Sequence, residues 1–394
     1  MKIAILTCGM LPIPAVQGGA VENMIDFYLA YNDQRKLHDI TVYSPWDSKV
    51  KSHPALSSDV NHYHYIDVSS LQARVARRVR SLFHSDEYYN YFIEYYFEKV
   101  YADLKKCEFD LIILENSPGH AYKLSLRGHK NLILHLNNDL LNSKSRFHDV
   151  IFNGLTKVLT CSDYIKNRVA TILPNSKKIQ TLYNAIDVKS FLPKENTNVC
   201  RKDLGLAEDD FVIVYSGRVN KDKGVSELID ALLSLKDVPN IKLMIIGGTF
   251  YGNTGNENNF VRSLKDKAKK IEDKIVFTGF IPYSQIPDYL HLADIAALPS
   301  MWDEPFGLTI VEAMAAGMPL VTTRSGGIPE ICEGVATIVD RNNIVNNLAT
   351  AILDLYEHPE KRKQMARSSI ERARKFDKEP YAMQFFAAIE TKNS

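Results

Sequence analysis

"IAALPSMWDEPFGLTIVEAMAAGMPLVTT", residues 295–323, decides how this chain is read. Residues 295–299 form a short apolar run without alternation, the pattern of a strand covered on both faces. Pro305 and Gly307 set a turn, and an alanine-rich apolar helix begins near Leu308. A second apolar run, 320–323, follows that helix. Strand, helix and strand in so short a span predict two parallel strands joined by a helical crossover. From Leu308 to Met318 the helix has no solvent face, yet Glu312 stands in it. A buried carboxylate without partners is strongly unfavourable. Glu312 therefore needs an Arg, backbone amides or the hydroxyl groups of a ligand. Glu304 precedes the helix, and the amides of Gly307, Leu308 and Thr309 are unpaired donors at its positive end.

The same unit recurs along the chain. In the first half, apolar runs bounded by Gly, Pro and Asn lie at 3–7, 40–44, 111–115, 132–136, 158–161 and 179–183. In the second half they lie at 211–216, 242–247, 275–278, 295–299, 320–323 and 337–339. Helix-length amphipathic segments such as 225–235 and 343–356 separate them. This alternation predicts an α/β protein with doubly wound parallel sheets. The segment 192–210 is polar and turn-rich, and the pattern restarts after it with "FVIVYSG". We therefore expect a first domain over 1–191, a second over 192–375, and a helical tail over 376–394 that packs back on the first domain. Two such domains facing each other would form an interdomain cleft, with ligands at the carboxyl ends of the strands.

Bulk composition narrows the function classes. A chain of 394 residues with 45% hydrophobic and 24% charged residues suits two or three folded, soluble domains. The formal net charge of +1 gives no sign of nucleic-acid binding. Five cysteines without a CxxC pair argue against a zinc site or a disulfide framework and favour a reducing compartment. The apolar start "MKIAILTCGMLPIP" is too brief for a signal peptide, and no stretch is long enough to span a bilayer. A cytoplasmic protein is expected, peripheral at the inner face of the cell membrane if it meets lipid at all.

Three further stretches carry candidate chemistry. "SGRVNKDKGV", 216–225, follows a strand and offers Gly217 for a tight turn with Arg218 and Lys223 as cations. It suits either a diphosphate or a solvated basic loop. "QGGAVENMIDFYLA", 17–30, opens a helix with Gly18 and Gly19. Its first amides suit an anion, or the glycines serve close packing; the pattern is not GxGxxG. "ILHLNND", 133–139, sets His135 at the end of a buried strand, as a core residue or a functional one.

Together these pieces are similar to retaining glycosyltransferases of the GT-B fold, the large family four with an E-x7-E signature. "EPFGLTIVE" at 304–312 resembles that signature. "SGRVNKDKGV", "IGG" at 246–248, "FTGFIP" at 277–282, "LADIAALPS" at 292–300 and "SGGIPEI" at 325–331 follow the family's order. In the first half, "GGA", "ILH" and "LYNAIDVKSF" at 182–191 are weaker matches, with Ala185 where the family usually has Gly. The resemblance implies two Rossmann-like domains, an acceptor-binding one first and a nucleotide-sugar-binding one second. It implies that Arg218 and Lys223 hold the donor diphosphate, Glu304 binds sugar hydroxyls and Glu312 binds the ribose. Phe306, Gly307, Leu308 and Thr309 would complete the donor site, with Gly18 and Gly19 allowing close backbone approach. His135 would stabilise developing charge near the sugar.

The reaction so implied is transfer of a hexose from a nucleoside-diphosphate sugar, UDP favoured, to a hydroxyl of a saccharide, lipid-linked or protein-linked glycan acceptor, with retention. It calls for no metal and no cofactor. Such chemistry serves surface-polysaccharide or glycoconjugate synthesis. Alternatives are a GT-B epimerase or hydrolase, a non-catalytic nucleotide-sugar-binding subunit and, lacking GxGxxG, a dinucleotide oxidoreductase. "LQARVARRVRSLFHS", 71–85, reads as a basic amphipathic helix that suits anionic lipid or a solvated face. "DEYYNYFIEYYFEKVY", 86–101, suits sugar stacking or a packed helix.

Overall fold

The computed structural model describes the chain except for residues 81–90, 194–196, 198, 249–258 and 392–394. Two compact units emerge. One comprises Met1–Asn184 together with the segment from Lys378, and the other comprises Ala185–Asp377. The chain thus changes unit at 185 and 378, against the expected 192 and 376.

The first unit holds a seven-stranded parallel sheet in the order β3-β2-β1-β4-β5-β6-β7. Its strands are β1 (Lys2–Leu6), β2 (Asp39–Pro45), β3 (Asn61–Ile66), β4 (Leu111–Glu115), β5 (Leu132–Leu136), β6 (Lys157–Thr160) and β7 (Ile179–Thr181). β3 escaped the sequence reading because "NHYHYI" is an edge strand, in which exposed His62 and His64 interrupt the apolar pattern. The central strands β4 and β5 are buried at every residue, which is why they read as plain apolar runs.

The C-terminal helix Lys378–Glu390 packs against the helix Ala20–Arg35 in this unit. Phe385 stacks on Tyr28 with ring centroids 3.9 Å apart and planes 1° from parallel. The Lys157 ammonium donates to the carbonyls of Ala388 and Thr391, meeting the negative end of the helix. His38 and Glu390 make a further contact at 2.9 Å.

The second unit holds a six-stranded parallel sheet, β10-β9-β8-β11-β12-β13. Its strands are β8 (Phe211–Ser216), β9 (Ile241–Ile246), β10 (Ile275–Gly279), β11 (Ile295–Leu298), β12 (Leu320–Thr323) and β13 (Thr337–Val339). In both sheets the order runs outward one way from the first strand and then the other way from the fourth. That reversal is the topological switch point of a doubly wound sheet, where the crevice at the carboxyl ends takes a ligand. It falls between β1 and β4 in the first unit and between β8 and β11 in the second.

The opening stretch folds as expected. The helix Leu308–Ala315 starts at Gly307, whose φ of 113° favours glycine, and every residue from Ile310 to Ala315 is buried. It stops because Gly317 turns left-handed at φ 72°. Gly317 N–H donates to Met314 O and Met318 N–H to Ala313 O, the paired bonds of a Schellman cap.

Candidate active site

At the switch point of the second unit, four loops are stitched together by backbone. After β8, Gly217 N–H donates to Ile246 O at 3.0 Å. A Cβ on Gly247 would lie 1.9 Å from Gly217 O, and one on Gly224 would lie 1.8 Å from Pro299 O, so both positions require glycine. Met301 N–H donates to Asp222 O at 2.7 Å, and Gly327 N–H donates to Glu304 O at 2.8 Å. Side chains at the ends of β8 and β11 are therefore set by rigid backbone rather than by free loops.

Lys223 and Glu304 form an ion pair on this frame, and the Ser300 hydroxyl donates to the same carboxylate oxygen, Oε1, at 2.8 Å. The Lys223 ammonium also lies 5.7 Å from the centroid of the Trp302 ring. Arg218 has its carbonyl held by the Tyr215 hydroxyl at 2.7 Å while its side chain stands exposed. Thr309, in the first turn of the helix Leu308–Ala315, is close to Gly217: a Cβ there would lie 3.8 Å from the Thr309 methyl. The Lys223–Glu304 pair and a positive helix end thus lie near the end of β8, with Arg218 exposed just beyond that strand. The Phe306 ring is buried edge-on to Phe376.

Glu312 is buried as the sequence indicates, but its partner in the structure is neither an Arg nor a backbone amide. Burial pushes its carboxyl up to about 7, and a hydrogen bond from the Tyr283 hydroxyl opposes that rise. Burial and the neighbouring carboxyl raise the Tyr283 phenol well above its ordinary value. Tyr283 carried no sequence signal, because it lies in a 3-10 turn (Tyr283–Gln285) far from Glu312 in the chain.

The first unit has a different character at its switch point. Gly18 and Gly19 adopt φ 76° and 114° ahead of the helix Ala20–Arg35. A Cβ on Gly19 would lie 2.1 Å from the Glu22 carboxylate, which folds back over the helix start. Burial raises Glu22 to about 7, its own backbone amide opposes the rise, and Glu115 adds to it. Asp26 rises to about 6 through burial, although it accepts from Ala15 N–H at 2.8 Å. His135 is buried at the end of β5, with Nδ1 3.0 Å from Glu115 Oε2. Glu115 was missed in the sequence, although a lone carboxylate closing the apolar strand "LIILE" is the same kind of signal that singled out His135.

Among the described residues, no group of three or more His, Cys, Asp and Glu is arranged to hold a metal ion. Also among them, no helix is long and apolar enough to cross a membrane. The basic segment begins as the helix Leu71–Arg80, with Leu71, Val75 and Val79 exposed alongside Arg74 and Arg78. Its expected continuation through Leu82 and Phe83, and the start of the tyrosine-rich stretch, lie outside the described residues.

Comparison with known proteins agrees with this architecture. The family described as glycosyl transferases group 1 matches residues 196–372. YtcC of Bacillus subtilis, designated a glycosyltransferase, is 30% identical over 367 residues, covering 89% of this chain and 82% of its own. Spore coat protein SA of the same organism is 28% identical over 384 residues, covering 94% and 93%. In fold, the chain is similar to the crystal structure of Anabaena Alr3699/HepE in complex with UDP and glucose, at a TM-score of 0.74, 21% identity and coverage of 99% and 100%. Doubly wound units with these relatives identify the fold as GT-B, and the chain belongs to the glycosyl transferases group 1 family.

Proposed function

We propose that this glycosyltransferase moves a hexose from a UDP-sugar to a hydroxyl of a saccharide, lipid-linked or protein-linked glycan, with retention at the anomeric carbon. The observation that carries the proposal is the crevice of the second unit, where Lys223, Ser300 and Glu304 are bonded together beside the start of the helix Leu308–Ala315. Arg218, Lys223 and the amides of Gly307, Leu308 and Thr309 take the diphosphate. Glu304 accepts from sugar hydroxyls and Glu312 from the ribose. The bond from C1 to the diphosphate oxygen breaks, and the acceptor oxygen bonds C1 on the same face. The acceptor's proton passes to the departing phosphate oxygen. The second unit's role is electrostatic, stabilising charge as it grows on that phosphate. The diphosphate's charge is met by two side-chain cations and a helix end, so the proposal requires no divalent metal.

In the first unit, Gly18, where a Cβ would meet nothing within 4 Å, keeps backbone open to substrate, Gly19 makes room for the Glu22 carboxylate, and His135 takes part in transfer. The exposed apolar and basic residues of the helix Leu71–Arg80 suit an anionic membrane surface, which would bring the enzyme to a lipid-linked acceptor. Choice of UDP is supported by the UDP bound to a protein of the same fold. The test is Glu304→Ala. With the fold verified by circular dichroism, transfer from the UDP-sugar should fall by orders of magnitude. Near-normal transfer would overturn the assignment of Glu304.

A further inference from the structure

β4 and β5 pair in parallel with Glu115 directly beside His135. Both side chains are 1% exposed. The Glu115 carboxylate receives two donors: Tyr28 O–H at 3.0 Å on Oε1, and His135 Nδ1 at 3.0 Å from Oε2. An ionised carboxylate only accepts, so the histidine proton belongs on Nδ1. His135 Nε2 is then a bare acceptor, and among the described residues it is buried without a hydrogen-bond partner. Just beyond β5, Asn137 likewise has both side-chain polar atoms buried and unpartnered. Orphaned buried polar atoms are uncommon and call for a reason. Here they gather at the carboxyl end of β5, one strand from the switch point.

Packing alone does not account for the arrangement. A buried polar pair is often no more stable than well-packed apolar residues of similar size. The surroundings also hold the pair in one geometry. Phe385 of the C-terminal helix stacks on Tyr28 and lies 6.2 Å from the His135 ring, so the residue bonded to Glu115 is itself clamped. One histidine nitrogen is tied and oriented while the other is left open, which is how an imidazole is aimed at something else.

We propose that Glu115, held by Tyr28 and the C-terminal helix, is a positioning residue that keeps the His135 proton on Nδ1 and presents Nε2 as the acceptor for a sugar hydroxyl. This rests on the reading of His135 as a participant in transfer. Glu115 touches no substrate in this role; it acts through the histidine.

Two measurements on the full-length chain test it. In two-bond nitrogen–proton spectra of histidine-labelled protein, His135 should carry its proton on Nδ1 in the parent. Glu115→Gln, whose amide oxygen still accepts, should keep that tautomer, and Glu115→Leu should lose it. In UDP release from UDP-glucose, kcat should fall about 10-fold in Glu115→Gln and about 100-fold in Glu115→Leu, with KM held within about 2-fold, the scale of losing an orienting partner. A parent proton on Nε2, or a tautomer indifferent to Glu115→Leu, overturns the proposal. A lost tautomer with unchanged kcat overturns it equally. His135→Ala separates the two layers: unchanged turnover there removes the role of His135, whereas the spectra judge Glu115 regardless.

Discussion

Replacing Glu312 by glutamine, and following affinity for UDP-glucose across neutral pH, tests whether this buried carboxyl grips a ribose. In the ligand-free protein the group titrates at about 7, against an ordinary 4.5, because burial disfavours its charged form. Gripping two ribose hydroxyls requires the carboxylate, since a neutral carboxyl would offer one oxygen as a donor. Binding must therefore be accompanied by proton release wherever Glu312 starts out neutral. At about pH 6 roughly a tenth of the molecules hold the ionised form, so apparent affinity should be about 10-fold weaker than at about pH 8, or about 1.4 kcal/mol. UDP-glucose is the right probe because its diphosphate is esterified at both ends and does not titrate in this range.

Titration calorimetry in buffers of different ionisation enthalpy reads the release directly. Close to one proton should leave at about pH 6 and almost none at about pH 8. In Glu312→Gln the affinity should be weaker, and the dependence of about 10-fold assigned to Glu312 should be gone. Glu22 and Asp26 also titrate near neutrality, but they are common to both proteins and cancel in the comparison. Stability gives the same titration with the opposite sign. A carboxyl raised in the folded state contributes stability that is fully present below its unfolded value of 4.5 and is lost as pH rises through about 7. The amount is about 3 kcal/mol, so urea unfolding should find Glu312→Gln gaining on the parent by up to that much as pH rises. A parent affinity that does not change with pH, or a slope that survives undiminished in the glutamine variant, refutes the ribose assignment.

Other outcomes follow from the same geometry. Lys223→Met should weaken UDP binding by about 10- to 100-fold while leaving Glu304 with only its Ser300 partner, and unchanged affinity by calorimetry would remove Lys223 from the phosphate site. Gly247→Ala should lower the thermal midpoint sharply, because its Cβ would meet a backbone carbonyl at 1.9 Å. Gly18→Ala, where a Cβ meets nothing within 4 Å, should cost only about 1 kcal/mol for its positive φ, and comparable losses in the two variants would refute the contrast. Flotation on vesicles containing phosphatidylserine should fall when Arg74 and Arg78 become Gln, and equal flotation would leave the helix Leu71–Arg80 as plain surface.

The second unit was legible because its chemistry is local. Arg218, Lys223, Glu304 and Gly307 all lie within a few residues of a strand end, and the apolar runs that mark those strands are unbroken. The stop of its buried helix was not legible: the apolar run continues to Met318, whereas Gly317 ends the helix Leu308–Ala315 by turning left-handed. What stayed hidden depends on contacts across the chain. Tyr283 meets Glu312 only through tertiary packing, Glu115 meets His135 through strand register, and Phe385 reaches Tyr28 from the far end of the sequence. β3 was lost for another reason: an edge strand tolerates polar residues that a central strand does not, so periodicity fades there.

The two units share a strand order yet differ in charge at their switch points, and this contrast bears on which of them is proposed to take the donor. In the second unit Lys223 is set against a single carboxylate, Glu304, near the start of the helix Leu308–Ala315. The corresponding end of the first unit collects Glu22, Asp26 and Glu115, and Glu22 lies over the helix start that would otherwise attract an anion. Glu22 and Asp26, raised toward neutrality, are costly to ionise further, and a diphosphate brought beside them would raise them again. Such a surface repels phosphate and suits hydroxyl groups, which can donate to a carboxylate or accept from its protonated form. Topology alone would let either sheet bind a nucleotide; the difference in charge at the strand ends is what favours the proposed placement of the diphosphate on the second unit.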